Sequence, residues 1–250
     1  MAKDLPAHNK DLPVQEKDFY QELEVGILEL SKIIKKYKKQ DNLEIELRIG
    51  RIVEEEETPG KIYFESGLSN QEFYEKIQSQ LEKCEVWQKK IKNKTEEYIH
   101  KNLRKTVSFN GKKLVKPTYI QKDKIYNLDL TYTNTPYDIR ISVAKEIEDN
   151  DIKFKNSDAK ILRKKERTSY FYKDYRIDLT EVNSIDNNGI ETKTYELEVE
   201  LLNLKNNVND IYRAHSSLLL TRDFINMCET IEDGKIEINI EHAFKDKMQL

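Results

Sequence analysis

The chain has 250 residues, 36% of them charged and 37% hydrophobic, and its formal net charge is only -3. That balance excludes an intrinsically disordered chain, and it offers no global charge from which a partner could be named. There is no signal-peptide run and no stretch of about 18 apolar residues, so a soluble protein with no membrane partner is expected. Cys84 and Cys228 are too few and too far apart for a disulfide framework or a cysteine zinc site. They fit a reducing compartment, cytoplasmic or nuclear.

In chain order, residues 1–15 carry Pro6, Pro13 and unpatterned charge and are predicted to be a flexible tail, followed by a single domain over 16–250. From Glu16 to Lys39, Phe19, Leu23, Ile27, Leu30, Ile34 and Tyr37 recur at helical spacing. Ser69 followed by Glu72 forms a capping box that starts a second helix through Phe73, Ile77 and Leu81, toward Trp87. A third helix is predicted over Asn207–Cys228. Between and beyond these, nine segments alternate with period two: 43–51, 61–65, 97–109, 114–126, 137–147, 160–172, 174–182, 192–202 and 235–243. Asn110-Gly111 and Asn188-Gly189 are pairs that a type I′ hairpin turn prefers, so the sheet is expected to be antiparallel.

The alternating segments are sorted by charge. Glu44, Glu46 and Arg48 share a face opposite Leu43, Ile45, Leu47 and Ile49. Glu196, Glu198 and Glu200 form a second acid block, Arg163, Lys165 and Arg167 a base block, and Asp138, Arg140, Ser142 and Glu146 a mixed one. Like charges on one strand face repel, so an ordinary solvated face would interleave its signs. The helices present apolar stripes that need the apolar strand faces as partners, which encloses the charged faces within the sheet. About eight antiparallel strands close into a barrel with room for one small ligand. The expected fold is therefore a mainly β, α+β architecture: a closed antiparallel eight-stranded barrel, a tunnel with a polar lumen, with helices packed outside. Confined carboxylates need a cation, and hard oxygen donors select Mg²⁺ or Mn²⁺. The base block needs an anion, and a metal-bound phosphate chain meets both needs.

"LEIELR", then "DIRIS…E", an Arg-x-Lys-x-Arg strand, "RIDLT" and "YELEVEL", in that order, resemble the triphosphate tunnel metalloenzymes. Within them the match is to the metal-dependent RNA 5′-triphosphatases of fungi, protozoa and large DNA viruses, over about residues 41–202. The resemblance implies hydrolysis of the γ-phosphate of triphosphate-ended RNA, the first step of mRNA capping. It also implies Glu44, Glu46 and Glu200 as metal ligands, and Glu146 and Glu198 as the residues that orient water. Arg163, Lys165 and Arg167 would grip the phosphates together with Arg104 and Lys122, while Asp178 and Thr180 would tether the bases. Glu196, Asp178, Arg48 and Arg140 read as salt-bridge partners in the wall, and Glu237 and Glu241 as outer charges. Lys124 shares a face with Lys122, and the sequence does not choose between them.

Arg48 stands where the thiamine-triphosphatase and adenylate-cyclase branch has Lys. The Cys-x5-Arg loop, the GxxxxGK[ST] loop and the guanylyltransferase Lys-x-Asp-Gly motif are absent from the sequence. The implied partners are the 5′-triphosphate end of nascent RNA and guanylyltransferase and methyltransferase domains or proteins. The Lys- and Asn-rich composition with seven glycines suits a large DNA virus. The alternatives are a nucleoside or inorganic triphosphatase on the same fold, or a non-catalytic module that binds phosphate chains or RNA ends.

Overall fold

The computed structural model describes residues 14–229, apart from 56–57, 69, 111–112, 116, 132–134, 150 and 152–153. Among the described residues, three α-helices, α1 (Val14–Tyr37), α2 (Gln71–Lys83) and α3 (Asp210–Glu229), pack outside ten strands. The strands are β1 (Leu43–Glu54), β2 (Ile62–Ser66), β3 (Lys89–His100), β4 (Leu103–Asn110), β5 (Lys113–Leu114), β6 (Thr118–Leu130), β7 (Asp138–Glu148), β8 (Ile161–Tyr172), β9 (Tyr175–Asp186) and β10 (Glu191–Leu201). The hydrogen-bonded order β10-β9-β8-β3-β4-β6-β7-β1 is closed by β1 pairing with β10, giving an eight-stranded antiparallel barrel. β2 extends β1 beyond β10, and β5 pairs with β4.

Alternation decides what faces the helices. Ile45, Leu47 and Ile49 of β1, Ile139, Ile141 and Val143 of β7, Ile177 and Leu179 of β9, and Leu197 and Val199 of β10 are all buried outside the barrel. They meet Leu30 and Ile34 of α1, Ile77 and Leu81 of α2, and Leu218 and Phe224 of α3 in one core. Each such side chain contributes about 1.5–3 kcal/mol on burial, so the apolar face fixes the register, and the charged face has only the lumen left.

Several expectations shift. α1 starts at Val14, inside the expected tail. Asn70, not Ser69, caps α2, its side chain accepting from the Phe73 N–H at 2.9 Å, and the helix stops before Trp87. The predicted strand 97–109 is two strands that turn at Lys101, whose φ of 56° is left-handed. β3 then begins at Lys89, well before that prediction. The Asn188-Gly189 loop is not type I′, because only Gly189 has positive φ. The Asp186 side chain accepts from the N–H groups of Asn188 and Ile190, at 2.8 Å each, and the Asp186 N–H bonds the Ile190 carbonyl. That is a three-residue hairpin loop closed by a glycine. β4 and β5 pair Asn110 with Lys113 around residues outside the described set. The predicted strand 235–243, with Glu237 and Glu241, also lies outside the described residues.

Two devices went unread. The connection from β7 to β8 crosses over β6, β4 and β3, and Phe154 anchors it against His100 and Tyr119 at 5.9 and 6.3 Å. Arg213 of α3 is fully buried and donates to the Leu204 and Asn203 carbonyls at 3.2 and 3.3 Å, tying α3 to the chain that leaves β10.

Candidate active site

The lumen is lined by the charged faces, and strand pairing sets their order. Glu46 lies opposite Glu200 on one side and Ser142 on the other, and Arg48 lies opposite Glu198 and Arg140. Arg167 faces Thr180 across β8–β9, Glu198 faces Asp178 across β9–β10, and Glu97 of β3 faces Arg163. With Arg104 of β4 and Lys122 of β6, every strand of the barrel contributes to one enclosed polar surface.

Charges of opposite sign meet inside it. Lys122 contacts Glu44, with Glu146 at 3.0 Å and Glu46 at 3.7 Å. Arg48 pairs with Glu46 and reaches Glu198 at 3.1 Å. Arg163 holds Glu196 at 2.5 Å and Lys165 holds Glu97 at 2.6 Å. Arg167 donates to Asp178 at 2.7 Å, Thr180 at 3.0 Å and Glu198 at 3.1 Å. Arg176 joins Asp178, at 2.9 Å, to Glu200. Of the three bases of β8, Asp178 and Thr180 meet only Arg167, and Asp178 is itself held by the Ser169 hydroxyl at 2.6 Å.

Lys122 is the lumen lysine. Lys124 is exposed, next to a bulge between Lys124 and Tyr126. Arg104 sits on the lumen face of β4, close enough to act electrostatically on Glu97 and Lys122, and among the described residues it forms no ion pair. Of the expected wall pairs, Arg140 binds Asp129 through two bonds of 2.6 and 2.7 Å at one end of the lumen. Glu97 is the lumen residue that sequence reasoning misses, while Arg176 is readable on the charged face it shares with Asp178 and Thr180 but receives no role there. "KNKTEEYIH" hides Glu97 beside the outward Glu96, and only the β3 register separates them.

Burial and neighbours split the carboxylates. Burial, reinforced by Glu198, pushes Glu46 up to about 7, and burial with Glu44 and Asp178 pushes Glu200 up to about 8 against the pull of Arg176. Burial opposes charge on Glu198 as well, yet Arg48, Arg167, Lys165 and Lys122 together hold it far below the usual range. Glu97 is likewise held low by Lys165 despite burial, and burial lowers Lys165.

Glu44, Glu46 and Glu200 offer oxygen donors only, on adjacent strands, and their bases Lys122, Arg48 and Arg176 are shared with Glu146, Glu198 and Asp178. That donor set suits a hard divalent cation. Among the described residues no three such groups converge on one point in these rotamers, since each is held by Lys122, Arg48 or Arg176.

A closed eight-stranded antiparallel tunnel with acid and base walls and helices outside has the fold of the triphosphate tunnel enzymes. Residues 64–232 match the mRNA triphosphatase family, described as mRNA capping enzyme, beta chain. The chain belongs to that family and is an RNA 5′-triphosphatase of mRNA capping, a metal-dependent family in general. Its fold resembles the S. pombe Pct1 RNA triphosphatase, with TM-score 0.66 and 18% identity over 90% of this chain and 98% of that one. A second structure of Pct1, in complex with the Spt5 CTD, gives TM-score 0.63 and 19% identity over 89% and 98%. The Mimivirus capping enzyme triphosphatase gives TM-score 0.54 and 18% identity over 81% and 98%. No curated protein sequence matches the chain. The family match begins after β1 and so does not include Glu44 and Glu46. No helix among the described residues is long and apolar enough to cross a membrane.

Proposed function

We propose that this RNA 5′-triphosphatase works by exchanging the lumen's internal ion pairs for those of a metal-bound triphosphate. The carrying observation is that each acid assigned to the metal is paired with a base: Glu44 with Lys122, Glu46 with Arg48, Glu200 with Arg176. Glu44, Glu46 and Glu200 would hold Mg²⁺ or Mn²⁺, which when bound would neutralise charge on the γ-phosphate and the leaving diphosphate. Arg163, Lys165, Arg167, Arg104 and Lys122 take the phosphate oxygens, Arg104 having no ion pair beforehand among the described residues. Glu198 stays anionic and, with Glu146, orients water for in-line attack. Asp178 and Thr180 fix the Arg167 fork. An enclosed lumen takes a phosphate chain end-on and reads no sequence.

In that reading, the substrate is the 5′-triphosphate end of nascent RNA. The diphosphate end it leaves passes to guanylyltransferase and methyltransferase domains or proteins, in the cytoplasm or nucleus. Release of labelled phosphate from terminally γ-labelled RNA, with Mg²⁺, with Mn²⁺ and with chelator, tests it. Metal-dependent release is expected. RNA that binds without release favours a non-catalytic module, and faster release from inorganic triphosphate or free nucleotides than from RNA favours the small-substrate reading.

A further inference from the structure

Lys32 and Lys35 lie on the face of α1 opposite its core residues Leu30, Ile34 and Tyr37, and Lys38 and Lys39 lie in the turn that follows the helix. An amphipathic helix ordinarily shows such a face to water. Here the chain leaving β10, residues 205–211, stands beside it as a second wall, and the two enclose a groove of about 940 Å³. Five lysines line it, Lys32, Lys35, Lys38, Lys39 and Lys205, against one acid, Asp210. A second groove, beside α2, mixes Glu75, Glu166 and Glu181 with Lys92 and Lys94. The ion pairs of the lysine groove tie its walls together: Lys38 binds Asp210 at 2.8 and 2.9 Å, and Lys205 binds Asp41 in the turn before β1. Lys32 meets Glu29 at 2.6 Å, both exposed, a pair worth little. Lys35 and Lys39 are exposed and form no ion pair among the described residues.

Lys39 stands just before β1 and Lys205 just after β10, the strands that carry Glu44 and Glu200, so the groove adjoins one mouth of the lumen. We propose that it holds the phosphate backbone of the RNA downstream of its triphosphate end, which rests on RNA being the substrate. Lysines take phosphate as point charges and read no base. The lining has neither the arginine fork nor the aromatic ring with which bases are read, which suits an enzyme that must take every transcript. Once the triphosphate end is in the lumen the backbone arrives tethered, at an effective concentration that makes a few weak contacts sufficient. A backbone seated here leaves the lumen by the mouth that Lys39 and Lys205 border, whichever acid orients the water. An acidic peptide is the competing occupant, with Leu28 and Ile211, one on each wall and 52% and 55% exposed, as its apolar contacts. It lacks the tether.

Fluorescence anisotropy of a labelled 5′-hydroxyl RNA of about 20 nucleotides, titrated with the full chain at rising salt, tests the groove without catalysis. Against wild type, Lys35→Gln/Lys39→Gln should bind this RNA about tenfold more weakly, with a log–log salt slope smaller by about 1.4, the share of two phosphate contacts on a single strand. In phosphate release from triphosphate-ended RNA of that length, the variant's KM should rise by a similar factor with kcat unchanged. ATP and inorganic tripolyphosphate have no downstream backbone and should keep their wild-type KM, which also shows that the variant folds. Unchanged RNA affinity and slope overturn the groove, and so does an equal rise in KM on all three substrates. Polyglutamate that binds through these lysines where RNA does not overturns it in favour of an acidic protein partner. Wild-type protein that binds the 5′-hydroxyl RNA through Lys35 and Lys39 but releases phosphate from no substrate upholds the groove and overturns the catalytic reading.

Discussion

Glu198 and Glu200 are two residues apart on one face of one strand, yet the lumen drives them in opposite directions. Glu198 stands between Arg48 and Arg167, each at 3.1 Å, and is held strongly acidic despite its burial. Glu200 has Arg176 alone and faces the acids of β1, so burial and like charge raise it to about 8. The same residue type thus serves as a fixed anion at one position and as surplus charge at the next. That difference separates a group able to orient water at neutral pH from one that gains by meeting a cation.

The largest expected effect tests the surplus end. Glu200→Ala, Glu46→Ala and Glu44→Ala should each lower kcat by about 100-fold or more, measured as metal-dependent phosphate release. Glu166→Ala is the matched control, because Glu166 neighbours Arg167 in sequence but points outward to Lys94. It should change activity less than about twofold. Normal turnover in any lumen variant would remove that residue from the metal set, and a damaged control would show the β8 register to be wrong.

The fixed end is tested by Arg167→Lys. One ammonium cannot replace a fork that serves Asp178, Thr180 and Glu198 at once, so kcat/KM should drop about tenfold although charge is conserved. If kcat and KM both persist, the fork has no part in gripping phosphate.

What could be read beforehand follows from these forces. Alternation over Leu43–Ile49 and Tyr195–Leu201 displays its burial pattern directly, and sorting by sign showed that the charged faces were enclosed. Choices that depend on partners from other strands could not be read. Lys122 and Lys124 are equivalent in the alternation until the carboxylates around Lys122 are placed, and Glu97 and Glu96 until β3 is placed. Arg213 looks like any helical arginine until its buried carbonyl partners are seen. Metal identity, in turn, is set by coordination that the pairing alone does not express.

The two ends also titrate apart. Glu46 and Glu200 hold protons in the folded protein that the unfolded chain has already released above its ordinary value of 4.5. The metal-free protein should therefore lose stability as pH rises from about 4.5 toward 8. Glu198 and Glu97 are held low, so their contribution is present above 4.5 and is lost as pH falls below it. In chelator the melting temperature should peak near about pH 5 and fall by roughly 5 °C by pH 8. Because metal ligands must be deprotonated, the Mn²⁺-induced rise should be larger at pH 8 than at pH 6. A chelator profile that is flat between pH 5 and 8 would contradict the surplus charge.

Glu46→Gln gives the smallest and most discriminating effect. At pH 8 it removes one negative charge at nearly constant volume, from a carboxylate that burial and Glu198 disfavour. Neither basic partner is stranded, because Arg48 keeps Glu198 and Lys122 keeps Glu44 and Glu146. The metal-free variant should therefore melt higher, by about 2 °C. The Mn²⁺-induced rise should shrink, since a ligand that binds only the folded state stabilises it in proportion to its affinity. Catalysis should be lost. A structural salt-bridge network predicts the opposite, because removing one charge from a satisfied buried cluster lowers stability. Melting curves of the wild type and Glu46→Gln at pH 8, each with chelator and with Mn²⁺, separate the two accounts. A lowered metal-free melting temperature with an unchanged Mn²⁺ response would make Glu46 a wall residue and leave the metal to Glu44 and Glu200.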